Sequence, residues 1–222
     1  MTSPGSERNE LQARVAQALQ DVSPKLASIY RAALSALAVT AAPGDEMARV
    51  SVICHCMREL MIGLPSVMTD SATPRPKPSA TSLASRLPEL LAEHPDLDLL
   101  VDQDLVPVPK QVARAGSELI STVAIERGLK RRNDAELLTG GSNTKHPVLK
   151  QWQETYEFFL RWAHLDRNRD NSRQLPVDDV ILANIRVVED VIEVRTAQFF
   201  DVLQSLQDLL DEANEVQSGG SA

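Results

Sequence analysis

From Ile181 the apolar positions recur at alternating steps of four and three residues. They fall at Ile185, Val188 and Ile192, and after Arg195 at Phe199, Val202, Leu206, Leu209, Ala213 and Val216. This heptad seam predicts one long helix from Pro176 to Val216, broken by a single charge and by no internal Gly or Pro. Val180, Val187, Val191, Val194, Leu203 and Leu210 make the apolar stripe broader than a two-stranded coiled coil needs, so the helix is expected to lie in a bundle. At 1.5 Å per residue it would span about 60 Å, enough to back every other helix of a small domain.

The same periodicity places further helices along the chain. Ser6 is a candidate cap for a helix carrying Leu11, Val15, Leu19 and Val22, and Ser23-Pro24 restarts a second through Leu26, Ile29, Tyr30, Ala33 and Leu37. Asp45 is placed to cap a third, through Val50, Ile53, Cys54, Met57, Leu60 and Met61, with Gly63 and Pro65 expected to stop it. A Ser/Thr/Pro-rich stretch over 69–82 reads as a surface connector, after which Ser82 would cap a short helix through Leu83, Leu87, Leu90 and Leu91. Residues 96–109 alternate acids with Leu and Val and carry two prolines, which predicts a loop with one helical turn. A helix from Lys110 to about Arg132 and another opened by Pro147, through Trp152, Tyr156, Phe159 and Ala163, complete the set.

Composition agrees with an all-α chain. Only 4% of the 222 residues are aromatic, and Ala, Leu and Val dominate. The expected organisation is a helical bundle backed by the long C-terminal helix: a hairpin region over 1–68, the connector over 69–82, a region over 83–216 packing with the first as one domain, and a tail over 217–222. A net charge of −8 disfavours nonspecific coating of nucleic acid, because that binding depends on neutralising phosphates. A polar N-terminus and the lack of an unbroken apolar run of about 18 residues lead to the expectation of a cytoplasmic chain without a membrane span.

Candidate chemistry is sparse. Cys54 and Cys56 sit two apart on a helix, too divergent to bridge or to share an ion, and no set of four ligands assembles a metal site; no cofactor and no metal are expected. Of the four histidines, His94 and His146 precede prolines in turns, leaving His55 and His164. Glu59 follows His55 by four and shares its face, where it could orient or charge the imidazole, and Arg58 follows it by three. If the aromatic helix packs on the third helix, His164 would approach this group. The arginine-rich run opened by Arg161 and continued by Arg167 has the geometry to receive a phosphate.

Two resemblances attach to these residues. Arg49 and His55, six apart in Arg49-Val50-Ser51-Val52-Ile53-Cys54-His55, resemble the Arg-x4–6-His motif of HEPN ribonucleases. These are all-helical proteins that cleave RNA without metal at a dimer interface. The resemblance implies Arg49 as phosphate holder and His55 as proton carrier, a role in which the neighbouring Glu59 would assist. The run His55 to Leu60, Leu64-Pro65, Trp162 to Arg167, Glu189 and Phe199-Phe200 resembles a group of uncharacterised bacterial helical proteins associated with phage defence and mobile elements. That likeness implies that His55, Arg58, Glu59, His164 and Arg167 matter as a set.

The function expected from the sequence is therefore a helical interaction module in a defence or toxin–antitoxin setting. Its partner would be another protein or a second copy, met through the C-terminal helix. A HEPN-type ribonuclease acting on RNA, and a phosphate or nucleotide sensor using Arg58, Arg161, His164 and Arg167, are the alternatives.

Overall fold

The structure is a computed structural model and describes residues 4–69, 73–74, 76–101, 105–164 and 174–219, with side chains from 6 to 198 within those ranges. Seven helices and no strands form among them: α1 (Pro4–Val22), α2 (Pro24–Ala38), α3 (Glu46–Met68), α4 (Ala80–Ala92), α5 (Lys110–Thr139), α6 (Pro147–Ala163) and α7 (Asp178–Gly219). The chain is all-α, as its periodicity predicts.

Local chemistry explains most of the boundaries. Ser23 is the sole residue between α1 and α2. Its N–H closes α1 on the Leu19 carbonyl at 2.7 Å, and its hydroxyl accepts from the Leu26 N–H to open α2. α6 opens at Pro147, with His146 Nδ1 accepting from the Val148 N–H. α5 closes at Gly140, whose φ of 68° lies in the left-handed region and whose N–H reaches the Glu136 carbonyl.

Other boundaries differ from the sequence reading. Ser6 lies inside α1, donating to Glu10, and does not cap it. Asp45 precedes α3 without making a side-chain cap bond. Neither Gly63 nor Pro65 stops α3. Gly63 lies so close to α2 that a Cβ there would come within 2.7 Å of Leu26 Cδ2, and Leu64 and Pro65 are buried. Ser66 donates to the Gly63 carbonyl and Thr69 to the Pro65 carbonyl in the last turns, and burial of Leu64 and Pro65 carries the helix past its proline to Met68. The cap of α4 is Ser79, not Ser82, whose N–H it receives. No helix forms among the described residues of 96–109. α5 runs one to two turns beyond Arg132, because Ala135 and Leu137 reach the core and Asn133 exchanges two hydrogen bonds with the Thr73 backbone.

The core forms where α3 meets α2, α6 and α7. Ile53, Met57, Leu60 and Leu64 of α3 pack with Tyr30 of α2, Trp152 and Phe159 of α6, and Ile181, Ile185, Val188 and Ile192 of α7. Each such side chain taken out of water contributes roughly 1.5–3 kcal/mol. By length and composition α3 is apolar enough to cross a membrane; in the fold Val50, Ile53, Met57, Leu60, Met61 and Leu64 are buried in the core, while Val52 and Ile62 are exposed. α4 packs along α5.

The seam of α7 is buried as far as Ile192. At Arg195 the guanidinium donates to Gln198 Oε1 and to the Met68 carbonyl at the end of α3. α3 and α5 thus both end beside Arg195, since Gly140 lies 3.5 Å from where its Nη1 sits if given a Cβ. α7 starts at Asp178, two residues after Pro176, and its backbone continues about 36 Å beyond Arg195 to Gly219, past the expected end at Val216.

Candidate functional site

The sequence nominated seven side chains; of those described, the fold separates Arg49 from a group formed by Arg58, Glu59 and His164 and leaves His55 and Arg161 exposed. Arg49 leaves the first turn of α3 toward the end of α2. Its Nε donates to the Ala36 carbonyl at 3.0 Å and its Nη2 to the Leu37 carbonyl at 2.5 Å, satisfying groups that a helix terminus leaves unpaired. The same guanidinium grips Asp178 with two bonds of 2.8 and 2.9 Å. Asp178 opens α7, where an acid also suits the helix dipole. The bond from Arg49 holds the Asp178 carboxyl below the ordinary range, and the Arg49 guanidinium is held above its own. Arg49 is therefore a three-helix clamp of α2, α3 and α7.

His55 lies elsewhere. Six residues carry the helix through about 600° and about 9 Å, so its ring points away from Arg49, and it is exposed. The structure does not bring Arg49 and His55 into one cleft.

A second group forms where the end of α6 meets α3. Ser51 donates to the Ala163 carbonyl at 3.0 Å, and one residue on, His164 Nε2 lies 2.8 Å from Arg58 Nη1. A guanidinium only donates, so in a hydrogen bond between these two atoms Nε2 is the acceptor. Arg58 Nη2 donates to Glu59 at 2.5 Å. That bond, ahead of the charges of His55 and Lys25, holds Glu59 below the ordinary carboxylate range. Arg58 Nε is buried without a partner among the described residues.

The approach of His164 to Arg58 and Glu59 thus follows from the packing of α6 on α3. Glu59 bonds Arg58, not His55. Arg161 is exposed on the last turn of α6, and Arg167 lies outside the described residues. The chain Glu59–Arg58–His164 is internally paired, so its chemistry is that of a tie between two helices.

The thiols offer no nucleophile. Cys54 is buried, which pushes it up to about 12, and Cys56 is also pushed up, first by burial and then by Glu59. Among the described residues no group of three His, Cys, Asp or Glu side chains is placed to hold a metal ion. His94 is half-buried, its Nε2 without a partner among the described residues, and His146 is exposed as a helix cap.

Sequence reasoning gave no role to the most deeply buried acid. Glu189, on the flank of the α7 seam, is 2% exposed. Its Oε1 accepts from the Tyr30 hydroxyl at 2.6 Å and from Gln12 Nε2 at 3.3 Å. Burial pushes its carboxyl above the ordinary range against the opposing pull of those two bonds. The available signal was Tyr30, set on the apolar face of α2, because a buried phenol needs a polar partner. No protein family, curated protein or solved structure matches the chain.

Proposed function

We propose that the chain is a helical interaction module that associates through the part of α7 beyond Arg195, first with a second copy of itself. One observation carries this reading. Two of the helices beside α7, α3 and α5, end at Arg195, while the backbone of α7 and the heptad of its sequence continue through Phe199, Val202, Leu206 and Leu209. An isolated helix of that length is marginal in water, so a partner helix is the source of its stability. Five acids and no Lys or Arg follow Arg195, so self-association should strengthen as salt screens them. A defence or toxin–antitoxin setting rests on the sequence resemblance alone.

The ribonuclease alternative asks Arg49 to hold a phosphate while it is committed to Asp178 and two carbonyls. The sensor alternative asks the same of Arg58, which is committed to Glu59 and His164. Light scattering over a range of concentrations tests the proposal. The wild type should exceed the 24.4 kDa of one chain, and the Leu206→Asp/Leu209→Asp variant should stay at it with its helical spectrum largely retained. A wild type and variant of identical mass at every concentration and salt would remove it.

A further inference from the structure

α1 and α7 run side by side in the same direction, with Gln12 against Glu189 and Arg14 against Glu193. Between them opens a groove of about 660 Å³, and Glu189 is part of its lining. The two oxygens of this buried carboxyl are not equivalent. Oε1 accepts from both Tyr30 and Gln12, which uses its two lone pairs, whereas Oε2 has no hydrogen-bond partner among the described residues.

The groove has few cations to offer that oxygen. Arg14 is bound to Glu193, and Arg186 to Asp190 and Glu193. Arg8 remains, against the carboxylates of Glu10 and Asp179, which also line the groove. The balance is negative, and its floor is a carboxylate held in place by a phenol.

We propose that the α1–α7 groove binds the primary ammonium group of a small linear amine on Glu189 Oε2. An ammonium is a compact donor that one acceptor atom can satisfy. A guanidinium binds best through two parallel bonds to both oxygens of a carboxylate, and Oε1 is already filled. The site therefore selects amine over guanidine. Ala183, exposed on the α7 wall, sets the width available to the aliphatic chain.

Calorimetric titration of the full chain with putrescine, at fixed ionic strength, tests this. Methylguanidine and 1,4-butanediol serve as the mismatched cation and the neutral isostere. Putrescine should bind saturably, and both comparators at least about tenfold more weakly. Glu189→Gln keeps the shape and an oxygen for Tyr30, and Ala183→Leu narrows the groove without touching the carboxyl; each should weaken putrescine at least about tenfold. Absence of saturable putrescine binding to the wild type would overturn the proposal. So would undiminished binding to Glu189→Gln, which would locate the amine on surface acids, or equal binding of methylguanidine.

Discussion

Asp178 and Glu189 lie three turns apart on the same helix, and the fold pushes their carboxyls in opposite directions. Asp178 stands at the rim, its side chain 53% exposed, and the two-bond grip of Arg49 holds it below the ordinary range. Glu189 stands in the core, where loss of water outweighs its bonds to Tyr30 and Gln12 and lifts it above that range. A rim carboxylate with a cationic partner ties helices together, whereas a buried carboxyl held by neutral donors keeps an oxygen available for a charge that arrives from outside.

The largest expected effect comes from the core member. Tyr30→Phe leaves Oε1 with Gln12 alone and should lower stability by about 1–3 kcal/mol, read from denaturant midpoints, while lifting the Glu189 carboxyl further. Arg49→Ala should come next, at about 1–2 kcal/mol. It strips two carbonyls of α2 and leaves Asp178 unpaired, but the pair is partly in water and its share shrinks with salt. The smallest effect should be that of His55→Ala, within about 0.5 kcal/mol by thermal unfolding, since the ring is exposed. A much larger loss there would mean that His55 shares the tie between Arg58 and His164.

The local half of this organisation was legible in the chain. The seam Ile181, Ile185, Val188, Ile192 is buried as its spacing requires, and the cap at Ser23 and the helix start at Pro147 stand where expected, because each rests on residues a turn apart. The meeting of His164 with Arg58 was also accessible, as a consequence of the aromatic helix packing on α3. The pairings of Arg49 with Asp178 and of Tyr30 with Glu189 were not. They join residues 129 and 159 positions apart, and helical periodicity orders the faces of one helix without saying which helix each face will meet. The same limit explains α3 and α5. Both pass their apparent stop signals because burial supplied by other helices exceeds the local cost of a proline or a polar turn.

The two carboxyls also give stability opposite dependences on pH. Asp178 has a lowered folded pKa, so its contribution is present above the ordinary value near ~3.9 and is lost as pH falls through the lowered one. Glu189 has a raised folded pKa, so its contribution is complete below ~4.3 and is lost as pH rises through the raised one. Thermal midpoints of Asp178→Asn should therefore converge on the wild type in acid, while those of Glu189→Gln should gain on it as pH rises. The most direct measurement is a carbon-detected NMR titration of both carboxyl groups in one wild-type sample. Asp178 should titrate below the ordinary carboxylate range and Glu189 above it. Both titrating together within that range would contradict the contrast between rim clamp and buried acceptor.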